Sequence, residues 1–234
     1  MFHTIFYVPL YNALIFLTTT FGGSLGLAVI GLTLVVKLIL SPLSHKSIVS
    51  QIEQKKLQPL LEDIKKKYPD QKEQSAKTME LYKEHKTNPF AGCLLILLQL
   101  PIIIALYRVF LSGTAINPGE LYSFVHAPET VHSMFLGINM ASKSIILAIL
   151  AGVSQFLQMY WSPAMQSSGA PIAPDADMQT KMAGSMTKSM KYTMPVMIAV
   201  FAYAVPGAVA LYWVISNVFM IAQERFVMYR MKNK

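Results

Sequence analysis

Apolar and polar positions divide the chain into long apolar blocks separated by charged stretches. A helix needs about 20 apolar residues to cross roughly 30 Å of hydrocarbon at 1.5 Å per residue. Blocks at 24–44, 90–112, 144–162, 191–205 and 207–224 meet or approach that length. The last two are one stretch broken at Pro206-Gly207, which predicts a tight turn because proline lacks a backbone donor and glycine accepts turn geometry. The pattern predicts an all-α polytopic membrane protein with a five-helix transmembrane core. The fourth block spans only about 21 Å, so it either thins the bilayer beside it or borrows length from the helix before it.

Between the blocks the periodicity changes. At 45–88, Ile48, Ile52, Leu57, Leu60, Leu61 and Ile64 recur at mostly helical spacing among Lys, Glu and Gln, which predicts an amphipathic helix. Tyr68-Pro69-Asp70 ends it, and a second helical stretch carries Met79 and Tyr82 on one side. Together they form a helical hairpin, either a solvated spacer with a packed seam or a docking surface for incoming chains. The connection at 163–190 opens with a Pro-, Ser-, Gly- and Ala-rich stretch. It continues with Met178, Met182, Met186, Met190 and Met194 at i+4 intervals, one helical face leading into the fourth block. Methionine surfaces adapt to varied apolar partners, and ordinary packing of that face is the alternative. Residues 1–20 are apolar but interrupted by Tyr7, Pro9 and Asn12, and lack the basic start and small-residue cleavage site of a signal peptide. They predict an N-terminal helix in the outer interface, with a sixth span as the alternative.

Composition and charge supply the orientation. The chain is 53% hydrophobic and 14% charged, against about 25% charged for soluble domains. Its net charge is +8, and the lysines and arginines lie mostly outside the apolar blocks. Residues 45–88 hold ten of them and seven acids, residues 113–142 hold none, and Lys181, Lys188, Lys191 and the tail at 225–234 are basic again. Basic residues near spans stay in the cytoplasm. This places the hairpin and the tail in the cytoplasm and the 113–142 loop outside, with the N-terminus exterior and the C-terminus cytoplasmic. The single Cys93 excludes an intrachain disulfide framework, and no Cys/His cluster has zinc-ligand spacing.

Lys37 interrupts the first block. A charge in hydrocarbon costs about 2.5 to 3.5 kcal/mol on insertion scales, so such residues face a bundle interior or a wet cavity, or snorkel to headgroups. Thr33, Lys37, Ser41 and Ser44 share one helical face, a polar stripe that snorkelling does not require. Polar partners occur in other blocks: Gln99 in the second, Ser154, Gln155 and Gln158 in the third, and Tyr212, Trp213, Ser216 and Asn217 in the fifth. No acid neutralises Lys37, since Glu53 lies in a loop and Glu224 at the membrane edge. The residues converge on a shared polar cavity with a free positive charge. Enzymatic readings lack material. Gly22-Gly23-Ser24-Leu25-Gly26 has nucleophile-elbow form but no strand before it, all five histidines lie outside the spans, and no nucleotide or metalloprotease motif is present. No catalytic residue, cofactor or metal is expected.

Several strings resemble the YidC membrane protein insertases: Val35-Val36-Lys37-Leu38-Ile39-Leu40-Ser41-Pro42-Leu43, Met79-Glu80-Leu81-Tyr82-Lys83, Asn88-Pro89, Gly92-Cys93, Gln99-Leu100-Pro101-Ile102 and Ala210-Leu211-Tyr212-Trp213-Val214-Ile215-Ser216-Asn217. Their order and spacing carry the resemblance. It implies a five-helix core around a hydrophilic groove, open to cytoplasm and lipid and closed outside, with a cytoplasmic hairpin after the first core helix. The family's groove arginine matches Lys37, which keeps the charge but loses the planar fork. The groove then comprises Lys37, Thr33, Ser41, Gln155, Gln158, Trp213, Ser216 and Asn217. A substrate slide is drawn from Ile103, Leu106, Met194, Met197 and Phe201.

The expected function is that of a membrane protein insertase and chaperone. It moves short polar flanks of nascent membrane proteins through the groove and releases their apolar helices into lipid without ATP. A small transporter or channel using the cavity, and a structural assembly factor, are the alternatives. Expected partners are nascent membrane proteins and the bilayer, with the ribosome, through the basic tail and loops, and the Sec translocon as candidates. The expected location is the bacterial plasma membrane, in a minimal form without the extra N-terminal anchor and exterior domain of many bacterial members.

Overall fold

The computed structural model describes residues 2–85, 87–88, 91–111, 116–163 and 178–233. Within α4 (Ala91–Leu111) and α6 (Met178–Ala204) the backbone is described, but several side chains are not, including those of Met178, Met182, Met186 and Met190. Most of the Pro- and Ser-rich stretch after Pro163 also lies outside the described residues.

A one-turn π-helix at His3–Tyr7 leads into α1 (Val8–Thr20). Gly22 and Gly23, both at positive φ, turn the chain into α2, and the Ser24 side chain caps its start. Helix α2 (Leu25–Lys67) has 43 residues, about 65 Å, and passes without a break through Ser44, where the apolar block gives way to the amphipathic stretch. Helical propensity does not end at a solvent boundary, and Lys, Glu and Gln propagate a helix as well as Leu. Helix α3 (Gln71–Glu84) folds back on it, and Ser50 and Gln54 of α2 both donate to the Asn88 carbonyl. Helix α5 (Ile145–Trp161) follows the 116–144 segment, and Pro206 separates α6 from α7 (Gly207–Lys232). Helix α6 is continuous for 27 residues, so the short fourth apolar block is part of a longer rod.

Side-chain contacts fix the helix directions. Gln54 lies near Asn88 and Lys37 near Gln99, so α4 runs against α2. Phe156 packs at a tilt against Tyr192 and Lys191 sits over Tyr160, so α6 runs against α5. Asn217 meets Ser154 while Glu224 meets Gln158 and Ser162, so α5 and α7 are parallel. A Cβ at Gly152 would lie 2.8 Å from the Ala199 Cβ and 3.1 Å from the Pro195 carbonyl, which brings α5 and α6 into backbone contact. Helices α2 and α7 are each long and apolar enough to cross a bilayer, and α5 is apolar but shorter.

The start of α2, the end of α4 and the starts of α5 and α7 gather at one end of the bundle, with α1 and the 116–144 segment. Asn12 of α1, 2% exposed, donates to the Glu120 carbonyl at 2.8 Å and accepts from the Tyr122 amide at 2.7 Å. Tyr11 accepts from the Asn117 amide, and Thr19 donates to the His126 carbonyl. Asn12, which interrupts the apolar pattern of α1, therefore joins Tyr11 and Thr19 in holding an irregular segment against the helix. A two-strand hairpin, β1 (Met134–Phe135) and β2 (Ile138–Asn139), closes through Leu136 and Gly137, both at positive φ. Two such residues define a type I′ turn, whose first position favours Asn, Asp or Gly. A leucine there costs roughly 1–2 kcal/mol.

Candidate functional site

The polar stripe of α2 faces α4 and α7. Thr33 is 1% exposed and its hydroxyl donates to the Val29 carbonyl at 2.6 Å, so it is satisfied within its own helix. Lys37 is half-buried, and its Nζ donates to Gln99 Oε1 at 3.4 Å. Gln99 Nε2 donates in turn to the hydroxyl of Tyr212, a buried side chain also hydrogen-bonded to Ser216. One ammonium, one amide and one phenol thus join α2, α4 and α7. The ion pairs formed among the described residues, His3–Glu120, Lys56–Glu53 and Lys77–Glu80, do not include Lys37. An ammonium carries three donors, and the long contact to Gln99 engages one of them.

One to two turns further along α2, Ser44 Oγ donates to Gln223 Oε1 at 2.8 Å, and Gln223 Nε2 donates to the Ser41 carbonyl and hydroxyl at 3.0 Å. This α7 amide holds the helix on both sides of Pro42. On the other flank of α7, Asn217 Nδ2 donates to Ser154 Oγ at 3.1 Å. Gln158 Nε2 and Ser162 Oγ both donate to Glu224 Oε1 at 3.1 Å. Glu224 is 3% exposed, and its second oxygen is buried with no partner among the described residues. The carboxyl group expected at the membrane edge is packed inside the α5–α7 seam.

The predicted groove residues therefore separate into two groups on α7. Lys37 and Ser41, with Ser216 through Tyr212, belong to the α2–α4–α7 junction. Gln158 and Asn217 belong to the α5–α7 seam. Gln155 is half-buried on α5, and Trp213 is 9% exposed, edge-on to the Phe201 ring at 5.6 Å. Of the predicted slide, Met197 and Phe201 are each 54% exposed, whereas Ile103 and Met194 are half-buried. Leu106 is 1% exposed and belongs to the core, so the outward face of α4 is carried by Leu100 and Ile104 instead. A 3.6-residue period turns Leu106 about 160° away from Ile104.

The sequence does not single out Gln223 and Ser162, and it marks Glu224 only as an acid at the membrane edge, without its partners. Their signal is periodic. Tyr212, Ser216 and Gln223 repeat at four and seven along one α7 face, Trp213, Asn217 and Glu224 along the next, and Ser154, Gln158 and Ser162 every four along α5.

Residues 16–234 match the family described as 60Kd inner membrane protein. The chain is also similar to the membrane protein insertase YidC of Oceanobacillus iheyensis, 34% identical over 232 residues that cover 97% of this chain and 83% of that protein. This chain belongs to the YidC family. The YidC insertase of Fusobacterium nucleatum is 36% identical over 214 residues, covering 90% of this chain and 89% of that one. The YidC of Wolinella succinogenes is 34% identical over 227 residues, 97% of this chain but 37% of its own length. Among solved structures, an active YidC insertase crystal structure with the first transmembrane domain resolved aligns with a TM-score of 0.58 at 25% identity. The alignment covers 94% of this chain and 45% of that one. The family is one of inner membrane proteins, and α2 and α7 of this chain have the length and apolarity that a bilayer requires.

Proposed function

We propose that this chain inserts membrane proteins by receiving a short polar flank beside Lys37, between α2, α4, α5 and α7, while the apolar helix behind that flank passes along α4 and α6 into lipid. The observation that carries the reading is Lys37 itself, a half-buried ammonium on an apolar helix, held by one long contact to Gln99 and lacking an ion-pair partner among the described residues. Its spare donors suit water or an acidic group on an incoming chain. The groove is proposed to comprise Lys37, Thr33, Ser41, Gln155, Trp213 and Ser216, with Gln158 and Asn217 of the sequence-predicted set bracing its α5–α7 wall. Exposed Leu100, Ile104, Met197 and Phe201 supply an apolar surface for the sliding helix.

The physical task is to move polar atoms across about 30 Å of hydrocarbon, and a polar recess reaching partway shortens the dry path. Burial of the substrate helix in lipid supplies about 25 cal/mol per Å², and the membrane potential adds about 2.3 kcal/mol per charge per 100 mV for acidic tails moving outward. ATP is not needed. In the proposed orientation the N-terminus is outside, α1 lies in the outer interface, and the α2–α3 hairpin and basic tail face the cytoplasm. The bonds from α1 to the irregular 117–126 segment support the interfacial placement, because non-helical backbone is not stable against lipid. The basic tail is proposed to touch ribosomal RNA, and the Sec translocon is a candidate neighbour.

Reconstitution tests the reading. Purified chain in liposomes should render the short tail of a single-span substrate protease-protected without nucleotide. Protection equal to that of empty liposomes would remove the proposal, and solute or ion flux without insertion would transfer the polar recess to a transporter.

A further inference from the structure

The loop between α4 and α5 carries a feature that insertion does not use. His132 bridges Ser24 in the parallel sense, its amide donating to the Gly23 carbonyl at 2.8 Å and its carbonyl accepting from the Leu25 amide at 3.1 Å. Three residues later the Phe135 side chain packs on Gly26, so close that a Cβ there would be 2.2 Å from its Cγ and 2.5 Å from its Cβ. Strand β1 therefore runs alongside the first turn of α2 in the direction α2 itself runs, and the hairpin tip points down the helix rather than away from the bundle. Side chains alternate along a strand, so with Phe135 facing α2 its neighbours face outward. Met134 is 58% exposed and Leu136, in the first position of the type I′ turn, is 86% exposed.

We propose that this hairpin tip is a lipid-binding wedge, with Leu136 and Met134 inserted at the headgroup–acyl boundary of the leaflet that surrounds the start of α2. Three observations converge on lipid as the occupant. Leu136 occupies a backbone conformation that disfavours leucine and would suit asparagine, and it makes almost no contact with the protein in return. Leu27, the residue after the Gly26 on which Phe135 packs, is also exposed, so the hairpin is fastened to a helix start that itself presents an apolar side chain outward. The 113–142 segment contains no lysine or arginine, so this contact depends on apolar burial and not on attraction to anionic headgroups. The wedge would fix the depth of the α2 start in the bilayer.

The inference rests on the membrane reading of α2, and the experiment separates the two. Spin labels are placed on single cysteines in a Cys93→Ala background at Leu136, Met134, Glu129 and Leu38, and the protein is reconstituted in phosphatidylethanolamine–phosphatidylglycerol vesicles. Collision rates with oxygen, which partitions into lipid, and with a water-soluble nickel chelate are compared. The labels at 136 and 134 should favour oxygen several-fold relative to the label at 129, at a shallower depth than the label at 38. A label at 136 as nickel-accessible as that at 129, with 38 still lipid-exposed, overturns the wedge and leaves the membrane reading intact. Nickel access at 38 overturns the membrane reading itself. Shielding of 136 from both reagents that deepens with protein density in the vesicle replaces lipid by a second copy of the chain. As a second variant, Leu136→Asn keeps the turn and should move the label at 134 toward water, whereas an unchanged 134 label removes Leu136 from the anchor.

Discussion

The two flanks of α7 use the same residue types to opposite ends. Toward α5, Ser154, Gln158 and Ser162 meet Asn217 and Glu224 at 3.1 Å, all at least half-buried, with α5 pressed against α6 through Gly152. Toward α2 and α4, the charged member is Lys37, its contact is stretched to 3.4 Å, and apolar residues on the neighbouring α4 face are exposed. The α5 flank is a closed joint in which polar groups bond one another, only the second oxygen of Glu224 having no partner among the described residues. The other is an open junction whose positive charge has unused donors among the described residues. A polar group inside a bundle locks helices together when its partners are internal, and serves a ligand when they are not.

That contrast can be broken most severely at Gly152. Gly152→Leu must push α5 off Ala199 and Pro195, and should destabilise the protein by about 3 kcal/mol, read as a lower Tm in detergent. A Tm equal to wild type would mean the flank is not closed. Next, Glu224→Ala leaves Gln158 and Ser162 without their acceptor and should cost about 2 kcal/mol, while Glu224→Gln keeps an acceptor and should change Tm little. Equal losses in both variants would show that the charge, not the hydrogen bonds, holds the seam.

The open junction should respond in activity and not in stability. Lys37→Ala should reduce insertion of an acidic-tailed substrate about tenfold, equivalent to about 1.4 kcal/mol, with a neutral-tailed substrate much less affected and Tm unchanged. Lys37→Arg should retain the activity. Equal loss on both substrates would dissociate the ammonium from recognition of charge. The smallest effect belongs to Asn217→Ala, one interhelical hydrogen bond worth about 0.6 kcal/mol, measured as a Tm shift that should be nearly additive with Lys37→Ala.

How legible these features were depended on the range of the interaction. Helices α2, α4, α5 and α7 follow from apolar runs, and the turn at Pro206 from local backbone chemistry, because both signals are contained in neighbouring residues. The stripe of Thr33, Lys37, Ser41 and Ser44 was readable for the same reason. The role of Leu106 was not: its spacing from Ile103 and Phe110 is helical in either case, and only the direction from which α2 and the N-terminal segment approach makes its side the buried one.

By itself the sequence determined the apolar blocks, the polar face of α2 and the family strings, since helix periodicity and hydrophobicity are properties of short stretches of chain. Tertiary structure alone decided that Glu224 belongs to α5 and Lys37 to Gln99, so that two opposite charges share one bundle without meeting. It also turned the 134–139 hairpin down along α2. Those outcomes depend on which helices become neighbours, and at what rotation, and packing energy is minimised over residues more than 60 positions apart.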